Sequence, residues 1–155
     1  MEQLLKEAKE LAEGGVKELI LVAQETTVYG QDIYGEKSLH RLLRELCKID
    51  GIQWIRLLYC YPEEIDANLI QVMKEEPKIC HYLDLPIQHA SDAILKKMGR
   101  RTSKAQLVDT IRTLREEIPD ITLRTTLITG FPGETEEQHQ ELVEFVDEME
   151  FDRLG

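Results

Sequence analysis

The sequence predicts an α/β protein of parallel strands, a partial (β/α) barrel, and three observations point there. Helix-like and strand-like segments alternate without a break. Successive strands begin about 30–40 residues apart, the length of one βα unit, and repeated units of this kind give parallel strands with helices outside. The chain opens on a helix and closes as a strand begins, whereas a βα fold normally starts with a strand. A fragment is therefore expected, with at least one strand ahead of it and more chain behind. Alternation alone fits a barrel and an open doubly wound sheet equally.

Residues 2–13 carry Leu4, Leu5, Ala8, Leu11 and Ala12 at helical spacing, and Gly14-Gly15 stops them. Lys17 to Gln24 reads as an apolar strand. Ser38 to Lys48 is a helix with Leu39, Leu42, Leu43 and Leu46 on one face. Ile52 to Cys60 is the second strand, and Asp66 caps a helix running to Pro77. His81 to Ile87 is the third strand. Ser91 starts a short helix, and Ser103 with Gln106 caps a longer one ending at Pro119. Ile121 to Thr129 is the fourth strand, Thr135 to Glu150 the last complete helix, and a fifth strand begins near Phe151.

Length and composition narrow the class. At 155 residues the chain is about one domain. No apolar run approaches the roughly 18 residues of a membrane span, and the acidic start lacks a signal-peptide profile. A cytoplasmic protein without membrane attachment is expected. The net charge of −11 argues against direct nucleic-acid binding, which wants a basic face, and leaves room for a basic protein partner. The three cysteines, Cys47, Cys60 and Cys80, are scattered and never in CxxC spacing. That speaks against disulfides and against a self-contained metal site. Cys47 falls on the apolar stripe of its helix and reads as core.

Three strands carry charges among apolar neighbours: Arg56, Asp84 and Arg124. Burying them in a sheet covered on both faces costs several kcal/mol, on the order of a broken buried pair. A polar, ligand-filled barrel lumen accommodates them, and so does an internal Arg56–Asp84–Arg124 ion-pair network. The stretch from Arg124 to Thr135 is the most informative. Arg124, Thr126 and Ile128 fall on one side of its strand, Leu123, Thr125 and Leu127 on the other. Gly130 and Gly133 let backbone approach a ligand closely. Thr135 with Gln138 forms a capping box, placing a helix N-terminus above the strand end.

Ligands of parallel α/β folds bind beyond the carboxyl ends of the strands. The four segments there are Gln24 to Gly30, Tyr59 to Glu64, Pro86 to Ser91 and Thr129 to Thr135, and they hold most of the clustered polar, aromatic, Gly and Pro residues. His89 lacks an HxH or HxxxH partner, so hydrogen bonding or a helix-entry role is expected over metal ligation. Glu25, Glu63 and Glu64 are either an acid/base set or solvated loop carboxylates. Tyr29, Tyr59 and Tyr61 either flank a ring or close the core. Arg100-Arg101 either reaches a charged partner or is solvated.

At these loops the chain resembles the radical S-adenosylmethionine methylthiotransferases. The resemblance covers essentially the whole chain. It rests on Leu21 to Gly30 with its Gln24-Glu25-Thr26-Thr27, on Tyr59-Cys60-Tyr61-Pro62, on Asp84 to Asp92 with Gln88-His89, on Met98 to Arg101, and on Gly130-Phe131-Pro132-Gly133-Glu134-Thr135. The last element is widespread among radical enzymes of this type. The Gln24–Thr27 and Gln88-His89 elements resemble the branch that methylthiolates an aspartate of small-subunit ribosomal protein twelve rather than the tRNA-modifying branch. The resemblance implies a radical S-adenosylmethionine core domain over residues 1–155, S-adenosylmethionine as cofactor, 4Fe–4S clusters in the complete enzyme, and that ribosomal protein as partner. It also implies site roles. Gln24 would sit near the methionine amino group and Arg124 would answer the methionine carboxylate. Gln88 and Ser91 would face the ribose. Thr126 would lie alongside, and the Ile128-Thr129-Gly130 backbone would line the adenine.

The family's CxxxCxxC loop, which holds the cluster that cleaves S-adenosylmethionine, is not among these residues. Cys47, Cys60 and Cys80 do not replace it, so the chain alone is expected to bind no iron and to be inactive. Two other readings stand beside this one. A phosphate-binding aldolase-type barrel would use the Gly130–Thr135 turn as an anion nest. A non-catalytic scaffold derived from such an enzyme would use no cofactor.

Overall fold

The computed structural model describes residues 1–155 as five parallel strands with helices between them. The elements are α1 (Glu2–Glu13), β1 (Glu18–Leu21), α2 (Gln31–Tyr34), α3 (Leu39–Cys47), β2 (Trp54–Leu57), α4 (Ala67–Glu75), β3 (Ile79–Asp84), α5 (Asp92–Lys97), α6 (Lys104–Glu117), β4 (Thr122–Thr125), α7 (Glu136–Met149) and β5 (Arg153–Leu154), with a 3₁₀ turn at Pro62–Glu64. The strand order is β1-β2-β3-β4-β5, every neighbour parallel.

That order settles which parallel fold is present. A doubly wound sheet reverses its winding at a switch point and puts helices on both faces. A monotonic order with right-handed crossovers keeps the helices on one side and curves as the arc of a barrel. The burial pattern agrees. On β1 Leu19 is buried and Ile20 exposed; on β2 Ile55 and Leu57 are buried and Trp54 exposed; on β4 Leu123 and Thr125 are buried and Arg124 exposed. The buried members face the helices, where Leu43, Leu46, Val72, Met73, Leu107, Leu114 and Phe145 complete one continuous core. No helix is long and apolar enough to cross a membrane.

Helix ends fall where their caps dictate. The Asp66 side chain accepts from Leu69 N–H at 2.8 Å. Ser103 with Gln106, and Thr135 with Gln138, form reciprocal capping boxes. The strands are shorter than the apolar runs predict. β1 stops at Leu21 instead of Gln24, β2 at Leu57 instead of Cys60, β3 at Asp84 instead of Ile87, and β4 at Thr125 instead of Thr129. Beyond those points the backbone bonds pass from the loops to the neighbouring strand end or loop. Thr26 N–H reaches Tyr59 O, Cys60 N–H reaches Asp84 O, Leu85 N–H reaches Arg124 O, and Gln88 N–H reaches Thr126 O, all at 2.8–3.0 Å. The segments at the carboxyl ends are thus tied to one another across the first three strand crossings.

One short helix has no counterpart in the sequence reading. α2 is held between Gly30 and Gly35, both left-handed. A Cβ on Gly30 would lie 2.8 Å from Ser38 Cβ and from Tyr34, so only glycine fits there.

Candidate functional site

The strand alternation that buries Ile55, Leu83 and Leu123 sends Arg56, Asp84 and Arg124 to the opposite, concave side. The expected three-residue ion network is divided. Arg56 pairs with Glu18 across the strand pair at 2.7 Å and lies 4.8 Å above the Tyr82 ring. Arg124 Nε lies 3.8 Å from Asp84 Oδ1. The division follows from register: Glu18 pairs with Trp54 on the neighbouring strand and Asp84 with Arg124, so each arginine has a closer carboxylate than the one they would share.

Asp84 is the last residue of β3 and is almost wholly buried. Its Oδ2 accepts Tyr59 N–H at 3.1 Å, and its Oδ1 has no hydrogen-bond partner. Arg124 is about half exposed at 47%. Tyr82 first, and Asp84 next, strengthen its hold on its proton. Above this pair opens a cavity of about 370 Å³ at the carboxyl ends of the strands. Gln24, Gln88, Arg124 and Thr126 line it together with Asp84, Tyr59 and Tyr61. Four of the residues singled out in the sequence therefore converge. Ser91, Ile128 and Gly130 do not line the cavity. Ser91 is buried at the start of α5, its N–H committed to His89. Ile128 and Gly130 lie past the end of β4, on the loop that leaves the sheet after the Gln88–Leu127 bridge.

The backbone is strained where the cavity is. Of the three non-glycine residues with positive φ, Tyr59 (56°) and Gln88 (71°) both line it, while Glu150 merely ends α7. Such conformations cost about 1–2 kcal/mol each and persist where surrounding contacts over-determine them. The surrounding contacts are visible. Glu25 accepts Thr27 N–H at 2.9 Å, the Thr27 hydroxyl, and Tyr61 N–H at 3.0 Å. Burial pushes the Glu25 carboxyl up, against the pull of those bonds. The Thr26 hydroxyl donates to Leu58 O at 2.6 Å.

The loops after β3 and β4 are joined by His89 and Glu134. His89 is fully buried. Its Nδ1 accepts Ser91 N–H at 2.9 Å, which leaves Nε2 carrying the proton toward Glu134 Oε1, 3.3 Å away but not aligned as a hydrogen bond. Glu134 Oε2 accepts Phe131 N–H at 2.8 Å, and Oε1 also meets His139 Nδ1 at 3.2 Å. Burial acts to raise the Glu134 carboxyl, but the Phe131 N–H and the two imidazoles outweigh it, and the net shift is downward. His89 thus has the hydrogen-bonding and helix-entry role expected of it. The sequence reading missed Glu134 as its partner and missed the free Asp84 oxygen; the glutamate in the Gly/Pro turn was the available signal for the first.

The other charged loop residues are committed to structure. Glu64 pairs with Lys37 at 2.6 Å and Glu63 with Arg100 at 3.3 Å. Arg100 is not solvated: its side chain is 9% exposed and its guanidinium sits 4.3 Å over the Tyr61 ring. Glu25, Glu63 and Glu64 therefore buttress loops rather than form an acid/base set. A separate groove of about 300 Å³ between α1, β1 and α3 is lined mostly by apolar side chains, Leu4, Leu11, Ile20 and Val22 among them, with Glu7, Thr26 and Tyr29 as its few polar ones, so the chemistry is assigned to the more polar strand-end cavity.

The chain matches the family model of the Radical SAM superfamily over residues 1–146. It is 70% identical over all 155 residues to "Ribosomal protein uS12 methylthiotransferase RimO" of Lachnoclostridium phytofermentans, covering 35% of that protein. It is 58% identical over 154 residues, 99% of the chain, to the protein of the same name from Clostridium botulinum, again covering 35% of it. The chain spans about a third of the length of these curated relatives. Among solved structures, the radical S-adenosylmethionine methyltransferase TsrM from Kitasatospora setae superposes with a TM-score of 0.72 at 20% identity, over 97% of this chain and 29% of that one. The cobalamin-dependent S-adenosylmethionine radical enzyme OxsB superposes with a TM-score of 0.71 at 13% identity, over 94% of this chain and 22% of that one. The structural likeness bears on fold, and it agrees with the barrel arc described above. With the family model covering nearly the whole chain, this chain belongs to the Radical SAM superfamily.

Proposed function

We propose that the chain is the cofactor-holding core of a methylthiotransferase that modifies ribosomal protein uS12, working in the cytoplasm. The observation that carries this is the convergence of Gln24, Gln88, Arg124 and Thr126 on one cavity at the strand ends. The 70% identity to a uS12 methylthiotransferase supports the substrate.

The residues present fit S-adenosylmethionine. A buried carboxylate oxygen without a partner and a half-exposed guanidinium face the cavity, and Gly130, at φ 71° on the loop after β4, has open space beside its Cα. Gln24 and Arg124 would hold the methionine end and Gln88 and Thr126 the ribose side. The main chain at Ile128 and Gly130, outside the cavity lining, would border an adenine that extends past it, while Ser91 would act through its loop, its N–H being held by His89. The residues do not fit a 4Fe–4S cluster. No three His, Cys, Asp or Glu side chains approach closely enough to hold a metal. Burial pushes the Cys60 thiol up and that of Cys47 to about 11, so both stay protonated rather than become the thiolates a cluster requires. A cluster of the complete enzyme would take its ligands from outside these residues. S-adenosylmethionine would supply the radical chemistry, and this chain would supply its orientation and the exclusion of water.

Titration of the chain with S-adenosylmethionine tests the site. Arg124→Ala should weaken binding by about 1–3 kcal/mol, the scale of a lost charge-assisted hydrogen bond. An unchanged affinity would remove the cavity from the reading. In the complete enzyme, mass spectrometry of uS12 should show a methylthio group on an aspartate, and an unmodified uS12 would remove the substrate.

A further inference from the structure

We propose that Arg100 is a positioning residue that acts through Tyr61, holding its ring as one wall of the strand-end cavity. This rests on the reading of that cavity as an S-adenosylmethionine site and extends it to a side chain that does not line it.

The end of α5 aims Arg100 inward. Gly99 N–H bonds to Lys96 O at 3.1 Å and Arg100 N–H to Leu95 O at 2.9 Å, and Gly99 sits at φ 74°. That is the paired pattern of a helix closed by a left-handed glycine. It turns the chain so that Arg100 leaves the helix toward the loop after β2. There the guanidinium lies 4.3 Å over the Tyr61 ring, with Nη2 3.3 Å from Glu63 Oε2. Only 9% of the side chain is exposed, and Nε has no hydrogen-bond partner. Stability is a poor account of this arrangement. A buried ion pair roughly breaks even against apolar side chains of similar volume, and an unpaired buried N–H adds a further cost. What the arginine supplies is a rigid plane, held in one place by Glu63, on which an aromatic ring can lie.

Tyr61 is what that plane meets. Its N–H donates to Glu25 Oε2 and its carbonyl accepts Glu64 N–H, each at 3.0 Å, so its main chain is pinned on both sides. Rotation about the side-chain bonds is the freedom that remains, and the stack on Arg100 restricts it. Tyr61 borders two cavities. One is the strand-end cavity of about 370 Å³; the other, of about 340 Å³, is lined by Arg100 itself with Glu25, Glu63 and Gly99. Tyr61 is therefore the partition between the ligand space and the pocket that holds Arg100. Tyr59, two residues earlier and also on the strand-end cavity, is held at φ 56°, a conformation that needs surrounding contacts to sustain it. A Tyr61 ring turned out of place would enlarge the cavity and loosen its grip on a ligand, while every group that hydrogen-bonds the ligand stayed the same.

Calorimetry of S-adenosylhomocysteine binding to the chain tests this in Arg100→Lys, Tyr61→Leu, the two combined, and Glu63→Gln. Lysine keeps the charge that pairs with Glu63 but not the planar stack. Arg100→Lys should weaken binding about fivefold or more, the worth of a desolvated cation–π contact. Tyr61→Leu should weaken it by as much or more, and Arg100→Lys should have no further effect once the ring is gone. Glu63→Gln keeps the stack and an acceptor for the guanidinium, and should change affinity less than about twofold. Additive losses in the combined variant overturn the proposal, since Arg100 would then support the fold without acting through the ring. An unchanged affinity in Arg100→Lys overturns it too. So does a loss in Glu63→Gln equal to that in Arg100→Lys, which would put the effect in the ion pair instead. If circular dichroism shows that Tyr61→Leu does not fold, the comparison of Arg100→Lys with Glu63→Gln decides. Each of these outcomes leaves the cavity reading intact. Failure of the wild-type chain to bind S-adenosylhomocysteine overturns the cavity reading and the role of Arg100 together.

Discussion

At the scale of single residues, the site is where backbone rules are broken. Gln88 sits at φ 71° with its side chain on the cavity. A left-handed non-glycine residue costs about 1–2 kcal/mol, while glycine in its place adds about 0.5–1 kcal/mol of unfolded-state entropy. Gln88→Gly should therefore leave stability unchanged or raise it by up to about 1.5 kcal/mol while weakening the binding of S-adenosylhomocysteine. Thermal melts and titration of the same variant check it; a large drop in melting temperature would show that the Gln88 side chain, not its backbone, holds the loop. The sequence showed that Arg124 and Asp84 were charges in apolar strands, because alternation exposes such a conflict directly. It did not show which carboxylate each arginine meets, because that depends on register between strands distant in sequence. It also could not show that Gln88 and Tyr59 are left-handed, since nothing in either residue type marks it.

At the scale of elements, the loops after β3 and β4 behave as one unit because His89 and Glu134 join them. Removing His89 opens a cavity at a fully buried position and strands Ser91 N–H. His89→Ala should cost about 2–4 kcal/mol by denaturant unfolding, whereas His139→Ala, at a 41% exposed side chain, should stay within about 0.5 kcal/mol. Equal effects would mean that Glu134 is held by the surface histidine instead. The pH dependence has a definite sign. The Glu134 carboxyl is held below its ordinary value of 4.5, so its contribution is fully present above that value and is lost as the pH falls through the depressed one. Amide exchange at Phe131 should accelerate in that acid range before the core unfolds. Apart from α2, the helices were legible to within about two residues, since capping residues and apolar spacing are local signals: the predicted 2–13 is observed as Glu2–Glu13. Strand ends were not, because the apolar run continues into loops whose hydrogen bonds pass to the neighbouring strand end or loop.

At the scale of the whole molecule, the parallel pairing of the strands was legible, because βα alternation and crossover handedness leave few topologies. Choosing the barrel arc over a doubly wound sheet required the strand order itself. Charge is the remaining global property. With 30 acidic and 19 basic residues the chain carries a net charge of −11. Many basic side chains are already paired at short range, as in Lys74–Glu117 at 2.6 Å and Arg112–Glu148 at 3.2 Å. These pairs lie well inside the screening length of about 10 Å at 0.1 M salt and are worth only about 0–1 kcal/mol each at the surface. The surplus carboxylates repel one another over longer distances, which salt screens more completely. Raising sodium chloride from about 0.05 to 0.5 M should therefore raise the melting temperature, with most of the gain at the low-salt end. A melting temperature that falls with salt would mean that exposed ion pairs outweigh the net repulsion, and Lys74→Ala should then account for part of the loss.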